Sequence, residues 1–254
     1  MPQVVEYRVA DGIAWLVINR PEARNALNAE VRAGLWDGVR RFNDDSSAAV
    51  LVLTAAGDRA FCAGGDLKEM AGTEMTVPPP DFLPHFGRNI DVPKPTIAAV
   101  NGVAYAGGFF LAQQCDLCIA ADGARFAITE AKVGRGTPWA VPLPWLVPPR
   151  AALYLLMTGE PMGAAQALAA GLVNEVVEPG RLRERAGEIA AAIAANAPLS
   201  VRAAKRMVYA TAPAMSKETH DLADEIWRPV YLSADAQEGP RAFSEKRRPV
   251  WTGQ

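Results

Sequence analysis

The chain has 254 residues but only two histidines, His85 and His220, and three cysteines, Cys62, Cys115 and Cys118. Two imidazoles are too few for a histidine-based metal centre, so no metal is expected. An odd cysteine count without framework spacing argues against a disulfide scaffold and for a reduced cytoplasm. Cys115 and Cys118 form a C-x-x-C with no second ligand pair. It reads as part of a buried strand rather than as a redox or metal site. An excess of either charge is also missing: 26 Lys and Arg stand against 28 Asp and Glu. Nothing therefore suggests a nucleic-acid surface. No apolar run is long enough to span a bilayer, and the first residues lack the basic and apolar regions of a signal peptide. The expectation is a cytoplasmic protein with neither nucleic acid nor membrane as partner. Half the residues are apolar, enough for one core-bearing domain plus an appendage.

Two glycine pairs carry the most information. Gly64-Gly65 lies in FCAGGDLK at 61–68, and Gly107-Gly108 lies in NGVAYAGGFF at 101–110. Each follows a strand-like apolar run, 50–55 and 96–100, and each leads into a stretch that can open a helix. Such a turn leaves backbone N–H groups free at a helix N-terminus. If the two ends converge, they can hold an oxyanion, as an enolate or a tetrahedral intermediate requires. The bland alternative is that the glycines serve tight turns.

Strands are expected at 4–9 and 13–18 around the Asp11-Gly12 turn, then a polar loop at 19–28 and an Asn28-capped helix to about Phe42. Residues 71–84 have no periodicity and three consecutive prolines, and read either as a mobile loop over a site or as simple disorder. A helix at 107–114 lies between strands at 96–101 and 115–120, and a short strand covers 125–128. This alternation argues for a parallel-rich α/β sheet with covering helices. The segment 134–149 holds two tryptophans and five prolines and reads as stiff and apolar. Beyond 150 the pattern is mostly helical, interrupted by a strand at 173–177. A break is expected at Gly239-Pro240.

Six ordered segments resemble the enoyl-CoA hydratase/isomerase (crotonase) superfamily: INRPEARNALN at 18–28, FCAGGDLKEM at 61–70, KPTIAAVNGVAYAGG at 94–108, CDLCIAA at 115–121, GEPMGAAQALAAGLVNEVV at 159–177 and AFSEKRRPVW at 242–251. The resemblance implies a spiral of ββα turns over 1–198 and a C-terminal helical oligomerisation region over 199–254. It also implies a homotrimer or dimer of trimers, and an acyl-CoA thioester as substrate with no further cofactor. By motif match, the oxyanion-hole N–H groups fall on Gly65 and Gly107. CoA contacts fall on Arg24 and Ala26, on Ala63, Gly64 and Leu67, and on Lys246. Basic side chains suit the phosphates, although Arg24 and Lys246 also read as solvated charges.

Hydratases of this family hold a catalytic water between two glutamates. At the first position this chain has Phe110; at the second it has Glu130, whose plain alternative is a carboxylate beside a helix dipole. No other acid is a firm substitute for the missing one, Glu74 and Asp81 entering only by induced fit. Asp116 and Asp66 read as structural, and Glu74 and Asp81 lie in the 71–84 loop. A lone glutamate facing an apolar residue resembles the Δ3,Δ2-enoyl-CoA isomerases, where one base moves a proton from C2 to C4. That is the leading expectation. The alternatives are a hydratase or dehydratase with a single glutamate, and a catalytically silent acyl-CoA-binding protein. Phe110 and Trp139 are expected to dry the pocket and raise the Glu130 pKa. Trp145 reads mainly as core.

Overall fold

The computed structural model describes residues 3–66, 69–70, 77–212 and 216–253. Runs such as VLVLTA and TIAAV lack the polar alternation of a half-exposed strand, and both are buried along their whole length. They form the middle of a six-stranded sheet ordered β1(Val5–Ala10), β2(Ile13–Ile18), β3(Val50–Ala55), β5(Thr96–Val100), β7(Leu117–Ala121), β10(Glu175–Val177). All neighbours in it are parallel except the β1/β2 hairpin, which turns at Asp11 and Gly12 with φ of 51° and 77°.

A second sheet runs β4(Ala60–Cys62), β6(Val103–Tyr105), β8(Arg125–Ala127), β9(Met162–Gly163). Each of β3, β5 and β7 is thus followed by a short strand in the second sheet. This step from sheet to sheet repeats three times and forms the spiral. Helix α1(Ala29–Asp44) closes one side through Val31, Leu35, Val39 and Phe42, with the Asn28 side chain accepting from the Val31 N–H at 3.0 Å. On the opposite face, α6(Leu182–Ala194) lays Leu182, Ala186 and Ala190 against Val50, Val52, Ile97 and Ile119.

The remaining helices are α2(Gly107–Gln113), α3(Leu143–Leu146), α4(Pro149–Thr158), α5(Ala164–Ala169), α7(Pro198–Ala210), α8(Lys217–Leu232) and α9(Asp235–Ser244). The expected break at Gly239-Pro240 is absent, because α9 runs through it. Its buried face of Ala236, Gly239 and Ala242 holds the helix against the core, and packing outweighs the one lost N–H. The stiff segment at 134–149 contains a 3-10 turn at Pro138–Ala140 and α3. Of the 71–84 loop, residues 71–76, including Glu74, lie outside the described residues; 77–84 form no helix or strand. Among the described residues no helix is long and apolar enough to cross a membrane.

Candidate active site

The two glycine turns meet. A methyl placed on Gly107 would stand 3.9 Å from the Gly64 Cα, and one on Gly64 would stand 3.7 Å from the Gly107 nitrogen. Gly107 is the first residue of α2, where the helix offers its N–H no carbonyl partner. Ala106 before it takes φ 52° and ψ −118°, a conformation costly for a side chain with a β-carbon. That strain fixes the direction in which α2 starts. A methyl on Gly108 would lie 2.1 Å from the Cys62 carbonyl oxygen, so only glycine lets the two turns approach this closely.

The 19–28 loop is tied to the first turn. The Leu27 N–H donates to the Gly64 carbonyl at 2.8 Å, and the Ala63 N–H donates to the Arg24 carbonyl at 3.1 Å. Arg24, Ala26, Ala63 and Gly64 are therefore brought together around Gly65. Leu67 lies outside the described residues. Sequence reasoning missed Asn25, which is buried at φ 55°. Its amide nitrogen donates to the carbonyls of Ala56 and Ala60, at 3.0 and 2.7 Å, and its Oδ1 accepts from the Arg20 N–H. An asparagine in a polar loop, able to adopt the left-handed region, was the available signal.

Lys246 lies two residues past the end of α9, at φ 54°, with its N–H on the Phe243 carbonyl. Among the described residues no hydrogen bond joins it to the Arg24 loop within one chain. Asp66 forms an ion pair with Arg20 at 2.6 Å, and Asp116 accepts from Thr96, Lys205 and Tyr209. Both carboxylates are occupied structurally. The three cysteines are free and buried, and burial pushes the Cys62 and Cys118 thiols up to about 12. Among the described residues no His, Cys, Asp and Glu cluster could hold a metal ion.

Glu130 opens a 3-10 turn, Glu130–Val133, just after β8. Strand β8 pairs with β6, and its Ala127 carbonyl accepts the Ala106 N–H at 2.9 Å, so the carboxylate belongs to the same corner as the Gly107 turn. Burial raises its pKa from 4.5 to about 8, partly opposed by its own N–H, the Trp139 indole and the Thr129 N–H. Oε2 is buried without a partner. Phe110, buried in α2, packs 5.9 Å from the Trp139 ring and 4.9 Å from His85. The Trp139 indole stands beside the carboxylate and the Phe110 ring packs on Trp139, so no water-ordering acid stands at position 110.

Helices α8 and α9 close this corner from within the chain. The Tyr231 hydroxyl donates to the Gly136 carbonyl at 2.8 Å, and α9 lies on the Glu130 turn through Gly239 and Val133.

The model of the enoyl-CoA hydratase/isomerase family matches residues 8–254. The chain is 38% identical over 263 residues to a carnitinyl-CoA dehydratase of Proteus mirabilis (strain HI4320), with all of both chains covered. It is 37% identical over 262 residues to an (E)-benzylidenesuccinyl-CoA hydratase of Thauera aromatica, again with all of both covered. A solved carnitinyl-CoA dehydratase from Mycobacterium avium 104 superposes with a TM-score of 0.89 at 39% identity over the full length of both chains. With its spiral of paired strands and its two converging glycine turns, the chain belongs to the enoyl-CoA hydratase/isomerase (crotonase) superfamily.

Proposed function

We propose that the protein interconverts a 3-hydroxyacyl-CoA and a 2-enoyl-CoA, with Glu130 as the single proton-transfer group and the N–H groups of Gly65 and Gly107 as the oxyanion hole. The observation that carries this reading is the buried Glu130 carboxyl, one oxygen unpartnered, in the corner where the glycine turns meet. In the dehydration direction, ionised Glu130 takes the C2 proton. The electron pair moves onto the thioester oxygen, where the two N–H groups receive the charge. The enolate then re-forms the carbonyl and expels the C3 hydroxyl, which takes the proton back from Glu130 and leaves as water. Hydration is the reverse. The names of the full-length relatives, a dehydratase and a hydratase, favour this direction of chemistry. We further propose that Arg24, Ala26, Ala63, Gly64 and Leu67 face the CoA moiety. Lys246 would then meet its phosphates from another subunit.

A second reading, Δ3,Δ2-enoyl-CoA isomerisation, is favoured by one observation. Phe110 stands where the family's hydratases place a water-holding glutamate, and it is almost fully buried between His85 and Trp139. The same base would return the C2 proton at C4 instead of to a hydroxyl. The two readings separate on purified protein by following the conjugated thioester absorbance with 2-enoyl-CoA and with 3-enoyl-CoA of one chain length. Faster loss of the 2-enoyl signal supports hydration; conversion of 3-enoyl alone supports isomerisation. Phe110→Glu is expected to raise hydration relative to isomerisation. The gain is limited by the desolvation of a second buried carboxyl, and an unchanged ratio removes position 110 from the choice between the reactions.

A further inference from the structure

A cavity of about 780 Å³ adjoins the Phe110 ring through His85. It lies between the end of α2, α3, α7 and the start of α8. Seven buried side-chain polar atoms among the described residues lack a hydrogen-bond partner, and three of them belong to residues lining this one cavity: Gln113 Oε1, Gln114 Nε2 and His220 Nδ1. Each such atom costs stability unless something fills its bonding capacity. His220 is 3% exposed and packs edge-on against His85 at 4.9 Å. Burial lowers the pKa of both rings, so they are neutral hydrogen-bonding groups rather than cations.

Charge at the cavity comes from α7. Lys205 is neutralised by Asp116 at 2.9 Å. Arg202 and Arg206, one helical turn apart, form no ion pair among the described residues, and of the two carboxylates in the lining, Asp91 and Asp116, the second is already paired with Lys205. Phe86, Trp145 and Leu146 supply apolar wall. An occupant with an apolar body and an anionic end matches this lining. Gln113 is shared with the wall of the reaction corner, its Nε2 donating to the Trp139 carbonyl at 2.8 Å.

We propose that this cavity receives the far end of the acyl group and selects acyl-CoA thioesters that carry a distal carboxylate, with Gln114, His220 and the two arginines as its recognition groups. The proposal rests on the reading of the Glu130 corner as an acyl-CoA site. Binding is the test, because it does not require turnover: calorimetry at low ionic strength with suberoyl-CoA against octanoyl-CoA, two unreactive thioesters of equal chain length. Native protein should bind suberoyl-CoA at least about tenfold more tightly, the scale of one or two charge-assisted hydrogen bonds. Arg202→Ala/Arg206→Ala, made at exposed positions, should bring the ratio towards one. His220→Phe, which removes the unpartnered nitrogen, should also reduce it. A native ratio near one, or a preference that survives the arginine double variant, overturns the proposal. If the tenfold preference is found but no thioester is turned over, the catalytic reading fails and the distal site stands.

Discussion

At the scale of single residues, the decisive group is Glu130, and its environment makes a claim about stability as well as rate. Its folded pKa of about 8 lies above the ordinary 4.5. Between these values the unfolded chain releases a proton that the folded chain keeps. The unfolded state therefore binds fewer protons, and stability falls as pH rises from about 4.5 to about 8. Below 4.5 the penalty vanishes, and above 8 it is constant. Glu130→Gln has no proton to lose. Its unfolding midpoint should exceed that of the native protein at pH 8.5, with the gap closing towards pH 5. Parallel stability curves would place Glu130 in a wetter setting than the structure gives it. The candidate site residues come from family motifs that the sequence itself displays. Asn25 was not legible, because its role is visible only when the carbonyls of Ala56 and Ala60 come into reach. His220 was equally hidden, since no local pattern links it to His85, 135 positions away in sequence.

At the scale of elements, the reaction corner depends on how α9 docks. A methyl on Gly239 would lie 2.1 Å from the Val133 carbonyl oxygen, at the end of the Glu130 turn. Backbone cannot yield to it as a flexible side chain could. Gly239→Ala should therefore lift α9, cost roughly 1–3 kcal/mol as overpacking and lower kcat, measured by denaturant unfolding and by turnover. Unchanged stability and turnover would mean that α9 is not part of the corner. The long elements were readable from the sequence, with α1 and the central strands falling within a few residues of their expected limits and the region beyond 150 mostly helical as expected. The second sheet was largely missed. Its strands β4, β6 and β9 have three residues or fewer, too short to display a period, and they exist through pairing with one another's neighbours. The helix through Gly239-Pro240 is the opposite case: local propensity predicts a stop, and tertiary packing overrides it.

At the scale of the whole molecule, large apolar side chains stand exposed on α4, α7 and α8, among them Met157, Leu199, Leu222 and Ile226. Patches of this kind mark association surfaces, and we propose a trimer or a dimer of trimers. Light scattering at micromolar concentration should give three or six chain masses; a monomer would remove the proposed cross-subunit role of Lys246. The central claim remains that one buried carboxyl moves the proton. Its most direct test is kcat/KM against pH on a 2-enoyl-CoA for native protein and Glu130→Gln, with acyl-CoA affinity measured in parallel. Native kcat/KM should rise through an apparent pKa near 8 as Glu130 ionises. Glu130→Gln should bind acyl-CoA as before but turn over at least about 100-fold more slowly, without that pH step. A variant that keeps native turnover and the native pH profile would contradict it.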